Sequence, residues 1–108
     1  MVEASTNSVT VRCKVQFSGG LEMYFNNERE LSLELTYPEG GKYTVSNLIE
    51  KLRTAHMSDK EEMFVQAGTV RPGIIVLIND TDWELEGQTE YEIENNDTIA
   101  FISTLHGG

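Results

Sequence analysis

The residues best suited to chemistry lie at the end of the chain, where Gly107-Gly108 follows a run of β-branched and aromatic residues at 98–104. Ile99 and Phe101 would point to one face of a strand there and their neighbours to the other, which predicts a strand packed on at least one side. Glycine has no side chain that could pack, and a terminus of this kind is disordered unless it is tied down. We therefore interpret the C-terminal carboxylate itself as the working group of the protein.

Other residue sets with catalytic or metal-binding potential are incomplete. The segment 80–84, Asp-Thr-Asp-Trp-Glu, lacks the turn glycine and the twelve-residue spacing of a calcium loop. The two histidines, the single cysteine and the scattered serines form no nucleophile–base–orienter set and have no zinc spacing. The sequence therefore predicts a protein that is not an enzyme and that binds no metal or cofactor of its own.

The chain carries a formal net charge of −10, and no Lys or Arg follows Arg71. This balance argues against direct nucleic-acid binding, which needs a basic surface to neutralise phosphates. The acidic residues of 80–97 have two interpretations: a solvated surface that keeps the protein soluble, or a surface that steers a basic partner. Under the second interpretation, Glu84, Glu86 and Glu90 are the candidate partner surface.

No segment of the sequence is predicted to enter a membrane. The longest unbroken apolar run is Ile74–Ile78, far shorter than a membrane span, and residues 1–8 lack the basic and apolar regions of a signal peptide. Cys13 alone cannot form an intramolecular disulfide, and we expect it to be a small buried side chain. These observations predict a soluble, monomeric, cytoplasmic protein and leave open its presence in the nucleus as well.

The hydrophobic pattern predicts one helix and several strands. Strict alternation predicts strands at 9–17 and 31–35, and an apolar run predicts a strand in the sheet interior at 74–78. Apolar residues at helical spacing predict one helix over 45–55, with Thr44 as its N-cap.

The remaining segments are predicted mainly as turns and short elements. A hairpin turn at 79–82 should return through a short strand at 83–85, and a turn at 95–97 should precede the final strand. Residues 21–25 fit either a strand or a helical turn. The segment 57–70 has no clear pattern, although its apolar residues 63–65 should cover one edge of the core.

The order strand, strand, helix, strand, short strand, strand predicts an α+β fold, because a single helix can bury its apolar stripe on one face of a sheet. We expect the β-grasp (ubiquitin-like) arrangement, a mixed sheet of four to five strands with one main helix packed on one face. The predicted organisation is a flexible N-terminal segment at 1–8, a single β-grasp domain at 9–104 and a flexible tail at 105–108.

Two segments carry a specific resemblance to a known family. They are Arg-Pro-Gly-Ile-Ile-Val-Leu-Ile-Asn-Asp-Thr-Asp-Trp-Glu-Leu-Glu-Gly at 71–87 and Phe-Ile-Ser-Thr-Leu-His-Gly-Gly at 101–108. In both, the chain closely resembles the ubiquitin-related modifier family, the eukaryotic sulfur-carrier relatives of ubiquitin. The similarity is dense over 71–108 and is a similarity of pattern through the helix and the first strands.

The resemblance implies that the Gly108 carboxylate is adenylated by an ATP-dependent activating enzyme and converted to a thiocarboxylate by a persulfide-bearing, rhodanese-type sulfurtransferase domain. Its sulfur would serve the 2-thiolation of wobble uridine by a tRNA thiolation enzyme complex, and the carboxylate would also be attached to lysines of target proteins. ATP would be used by the activating enzyme and not bound by this chain. Leu105, His106 and Gly107 would be recognised by that enzyme, with Leu105 in an apolar pocket. Because the sequence ends at Gly108, we expect no proteolytic maturation.

Two alternative functions remain open at this point. The chain could be the small sulfur-carrying subunit of a molybdopterin-synthase-type complex, with its tail inserted permanently into a partner. It could also be a non-covalent ubiquitin-like docking module in which the terminal glycines have no role. For His106, a solvent-facing linker position is an equal alternative to an enzyme contact, and Trp83 is interpreted as a packing residue before a binding one.

Overall fold

The structure, a computed structural model, describes residues 7–104 of the chain. Seven strands lie in this range, five of them in one mixed sheet and two in a separate short hairpin. The strands are β1 (Ser8–Ser18), β2 (Glu30–Pro38), β3 (Val65–Gln66), β4 (Thr69–Val70), β5 (Ile74–Ile78), β6 (Thr81–Asp82) and β7 (Asp97–Ser103). β1 begins one residue before the alternating pattern indicates.

The main sheet has the strand order β2-β1-β7-β5-β6, so that the last strand of the sequence occupies the middle position. β7 runs parallel to β1, with Phe17 opposite Phe101, and antiparallel to β5, with Ile74 opposite Ser103. A strand that has a partner on each side satisfies the N–H and C=O groups along both of its edges, so β7 is among the best-anchored elements of the molecule.

One helix, α1 (Val45–Lys51), packs its apolar residues into the core on one face of the sheet. Thr44 caps it as predicted: its hydroxyl accepts a hydrogen bond from the Asn47 amide at 3.2 Å, and the Asn47 side chain accepts one from the Thr44 amide at 2.9 Å. The helical path continues through a π-helical segment at Leu52–His56, which closes with the Met57 amide on the Leu52 carbonyl. The predicted helix over 45–55 is therefore present, with its second half wound more loosely.

Four aromatic rings connect the ends of separate elements beneath the C-terminal end of β7. Phe17 stacks on Phe25 with ring centroids 3.9 Å apart, and Phe64 meets both Phe25 and Phe101 edge-on at 5.3 and 5.2 Å. All four rings are essentially excluded from solvent. Because aromatic pairs add to the gain from burial, this cluster fixes the end of β7 against the chain segments around it.

The structure decides between the alternatives left open for the short segments. Leu21–Phe25 is a 3₁₀ turn that buries both of its end residues, and 57–70 contains a second 3₁₀ turn at Glu61–Met63 followed by the β3–β4 hairpin. Phe64 is fully buried and its neighbours are half-buried, in agreement with the predicted edge of the core. None of the helices in the described range is long and apolar enough to cross a membrane.

One prediction for the segment after β5 was wrong. The returning strand is β6 itself, and Trp83–Leu85 forms a 3₁₀ turn instead of a strand. The Asp82 carboxylate accepts a hydrogen bond from the Glu84 amide at 2.9 Å and so caps this turn. The cap ends the pairing with β5 after two residues, and a second 3₁₀ turn at Gln88–Glu90 follows.

Candidate functional site

The candidate site is the point where the C-terminal tail leaves the sheet. The predicted tail residues Leu105, His106, Gly107 and Gly108 lie outside the described range, and their assigned roles stay predictions. What the structure gives is the base from which they start. It consists of the last residues of β7 and the two turns on either side of them.

On one side, a tight turn before β5 holds Thr104. The Ile74 amide donates to the Arg71 carbonyl at 3.1 Å, and Gly73 has φ 99°, which is the type II turn that a Pro-Gly pair favours. The Gly73 carbonyl then accepts two hydrogen bonds from Thr104, one from the amide at 3.0 Å and one from the hydroxyl at 2.6 Å. Thr104 is therefore fixed through both its backbone and its side chain.

On the other side, the turn after β1 packs directly against the backbone of Ser103. Gly19 has φ 72°, and a Cβ added to it would overlap the carbonyl oxygen of Ser103 and lie 3.0 Å from its carbonyl carbon. Only glycine allows such a close approach of two main chains in this conformation. We call Gly19, Gly73, Ser103 and Thr104 together the tail collar.

A buried carboxylate fixes the other end of β7. Asp97 is 6% exposed and accepts hydrogen bonds from the Asn79 side chain, the Tyr91 hydroxyl and the Glu94 amide, at 2.8, 2.7 and 2.8 Å. Burial and the bond to Asp97 raise the pKa of Tyr91, so the phenol remains protonated and continues to donate. A carboxylate satisfied by three donors sets the position at which β7 begins.

Cys13 lies on the inward face of β1 opposite the start of β7 and is 3% exposed. Burial, and secondarily the nearby charge of Asp97, raise the pKa of its thiol to about 11. The prediction of a small buried side chain is confirmed. A buried thiol held in the protonated form is a poor nucleophile.

The outer face of the sheet is apolar beside the tail collar. Ile75 on β5 lies opposite Ile102 on β7, and Leu77 lies opposite Ala100. Ile75 is 44% exposed, although it belongs to a run that the sequence places in the sheet interior. The inward residues of the run are buried, whereas its outward residues form an apolar surface next to the origin of the tail.

The predicted acidic partner surface is exposed. Glu84 and Glu90 lie on the two 3₁₀ turns that follow β6, Glu86 lies between these turns, and all three side chains are open to solvent. Trp83, between them and the sheet, packs against the core, in agreement with its interpretation as a packing residue. Within residues 7–104, no group of three or more His, Cys, Asp or Glu side chains could hold a metal ion.

The sequence did not identify the collar or the Asp97 cluster as parts of the site. The pair Pro72-Gly73 is typical of a turn, and 95–97 was predicted to be another turn. Their roles depend on which strands are neighbours: Gly73 meets Thr104 only because β5 pairs with β7, and Gly19 meets Ser103 only because β1 does. The motif Pro-Gly was the available signal for Gly73, since it predicts a specific turn type.

Comparison with known proteins identifies the group to which this arrangement belongs. The family model described as Urm1 (Ubiquitin related modifier) matches residues 12–108. The chain belongs to the ubiquitin-related modifier family. The match extends the resemblance seen at 71–108 through the helix and most of the first strand.

Similar members of the ubiquitin-related modifier family match over nearly their whole length. The chain is 47% identical to a ubiquitin-related modifier 1 homolog of Chlamydomonas reinhardtii, over 91% of this chain and 99% of that protein. The solution structure of Urm1 from Trypanosoma brucei superposes with a TM-score of 0.77 at 39% identity, covering 92% of this chain and 97% of that one. SAMP1 from Haloferax volcanii, at 18% identity and a TM-score of 0.68, shares the fold, with 90% of this chain and 99% of that chain covered.

The fold prediction is therefore confirmed as the β-grasp of ubiquitin-related modifiers. The chain is a ubiquitin-like sulfur carrier and modifier, a small carrier protein.

Proposed function

We propose that the Gly108 carboxylate is the group that carries sulfur and that forms bonds to lysines of target proteins. An activating enzyme would join it to AMP, with attack of the carboxylate oxygen on the α-phosphorus of ATP and departure of pyrophosphate. The terminal sulfur of a persulfide on a rhodanese-type domain would then displace AMP. A thiol would cleave the S–S bond, which leaves a thiocarboxylate on Gly108 and a disulfide on the enzyme.

The observation that carries this proposal is the anchoring of β7. The strand that precedes the tail is the middle strand of the sheet, is paired on both edges, and ends in the tail collar. Gly108 lies four residues after Thr104, and four residues can span at most about 14 Å. An enzyme that acts on Gly108 must therefore come close to the sheet itself.

The residue types of the tail suit a narrow channel. Gly107 and Gly108 allow close approach and unusual dihedral angles at little steric cost. Leu105 and His106 are the residues proposed to contact the activating enzyme, and Ile75 lies on the apolar surface that an enzyme holding this tail would cover. Continuity between that surface and the base of the tail supports placing the enzyme there.

The further partners and the location follow from the same role. The thiocarboxylate would donate its sulfur to a tRNA thiolation enzyme complex for 2-thiolation of wobble uridine, without direct binding of nucleic acid by this acidic chain. ATP would be bound by the activating enzyme, and the carrier would bind no cofactor. We expect a monomer in the cytoplasm, with the nucleus open as a second compartment.

Adenylation is tested by the exchange of labelled pyrophosphate into ATP, catalysed by the cognate activating enzyme. The wild-type chain should support exchange, and a variant lacking Gly107-Gly108 should reduce it at least about 100-fold, because the acceptor atom is displaced. A variant lacking residues 2–6 is the control for shortening and should behave as wild type. Undiminished exchange without the glycines would contradict the proposal that the Gly108 carboxylate is the group adenylated. No exchange with the wild-type chain, by an enzyme active on another carrier, would favour a docking module, and a carrier that stays bound to one large subunit through gel filtration would favour a molybdopterin-synthase-type complex.

A further inference from the structure

We propose that the tail collar aims the C-terminal tail and that Gly19 and Thr104 are positioning residues for activation of Gly108. The inference rests on the proposed function and adds to it residues that touch neither ATP nor the reacting carboxylate. Its basis is the geometry at the last two described residues of the chain.

The two sides of the collar act on consecutive residues. Gly19 packs against the carbonyl of Ser103, and the Gly73 carbonyl receives both hydrogen bonds of Thr104. Contacts at two successive residues restrict the direction in which the chain continues, because they fix the peptide between them in position and in tilt.

The shortness of the tail makes this direction important. For a chain of four residues held extended by the enzyme, a tilt of roughly 10° at the base would move the far end by about 2 Å. A misplacement of about 1 Å at the reacting group can lower a rate by a factor of about 100. The body of the carrier would still dock, so that the loss should occur in the chemical step and not in the affinity.

The tail collar uses backbone conformations that only glycine adopts without strain, which argues that close packing at this point matters. Gly19 adopts a left-handed backbone conformation at the end of β1, and Gly73 does the same at its turn. Both are positions where a side chain would be strained, and at Gly19 it would also collide with the main chain of β7. Gly40 has a similar φ of 90° but open space around it. A substitution there therefore introduces the backbone strain without the collision, and it serves as the control for Gly19.

The test measures kcat and KM for the carrier in adenylation by the activating enzyme, together with the thermal midpoint of each variant. Gly19→Ala should lower kcat about 100-fold with KM unchanged, since the tail is displaced while the docking surface is intact. Gly40→Ala should lose only the stability that a side chain at positive φ costs and keep the wild-type kcat.

A second pair of variants tests the other side of the collar and does not depend on Gly19→Ala folding. Thr104→Val removes the hydroxyl donor and keeps the amide, and should lower kcat about fivefold, the worth of one hydrogen bond. Thr104→Ser keeps the hydroxyl and should restore most of the rate. Wild-type kcat in Gly19→Ala and Thr104→Val, or an equal loss in Gly40→Ala, would overturn the inference. A wild-type chain that is not adenylated at all would overturn the proposed function, and the collar's role with it.

Discussion

Cys13 and Asp97 illustrate what single residues contribute to the frame that holds the tail. The burial of Cys13 can be predicted from the sequence, because strict alternation on β1 places it on the apolar side. The burial of Asp97 cannot, since an Asn-Asn-Asp segment is typical of an exposed turn. Its carboxylate is instead buried and receives donors from the turn after β5 and from the loop before β7. Asn79 lies far from Asp97 along the chain, and Tyr91 and Glu94 become donors only once the loop before β7 is folded.

The raised pKa of Cys13 predicts a loss of stability at alkaline pH. Unfolding lowers the pKa of the thiol from about 11 to its ordinary value of 9.0, so the folded state holds a proton that the unfolded chain releases. This contribution is fully present below pH 9 and is lost as the pH rises to about 11. It should amount to about 3 kcal/mol of unfolding free energy.

Denaturant unfolding of wild type and Cys13→Ala between pH 8 and about 12 checks this linkage, with about 3 kcal/mol as the expected difference in the pH-dependent loss. The wild-type curve should fall more steeply with pH than that of the variant. Val11→Ala is the control, since it shortens another inward side chain of the same strand without removing a titrating group. Parallel curves for wild type and Cys13→Ala would show that the thiol is not linked to folding.

At the scale of elements, the segment after β5 shows what the sequence pattern predicts correctly and what it does not predict. The chain turns back after β5 as predicted, but the turn is shorter than 79–82, because Thr81 and Asp82 already pair with β5. The strand assigned to Trp83–Leu85 was wrong because Asp82 caps a 3₁₀ turn there. Three residues are too few for the difference between strand and 3₁₀ periodicity to be read, and the cap then decides between them.

The acidic surface on these turns predicts a kinetic effect. Reversal of Glu84, Glu86 and Glu90 to lysine should slow association with the activating enzyme about tenfold or more at low salt, if opposite charge steers the encounter. The difference should shrink as ionic strength rises, because exposed charges are screened. Since all three side chains are exposed, the thermal midpoint should change little.

Stopped-flow association of the carrier with its activating enzyme is the measurement for this effect. The control variant reverses Glu39, Asp59 and Glu62, which gives the same net charge with the acidic turns intact. Equal association rates at low salt for the wild type and the variant with Glu84, Glu86 and Glu90 reversed would exclude steering by this surface. The acidic turns would then serve only to keep the protein soluble. Equal slowing by both variants would assign the effect to net charge.

For the molecule as a whole, the sequence predicts the architecture well because local pattern and global fold agree. The strands with clear alternation, the capped helix and the two-sided apolar run all have the predicted type, and their order admits the β-grasp. The site is predicted only in its chemistry, through the terminal glycines. Its geometry depends on β7 lying between β1 and β5, a non-local pairing that no local pattern encodes.

The position of β7 also explains how a small domain can present a terminus precisely. A C-terminal strand at a sheet edge would have one row of unpaired groups and could fray, whereas β7 is paired on both sides along most of its length. Asp97 fixes its start, the aromatic cluster supports its end, and the collar fixes the residue from which the tail continues. The fold therefore functions as a rigid holder for a short reactive segment.

The most direct test of this account is intact-mass spectrometry of the carrier after incubation with ATP, the cognate activating enzyme and a persulfide source. We expect the wild-type chain to gain the mass difference of one carboxylate oxygen replaced by sulfur, only when ATP is present, and the chain lacking Gly108 to show no such change. Absence of the sulfur adduct on the wild-type chain, with an enzyme that demonstrably activates another carrier, would contradict the account.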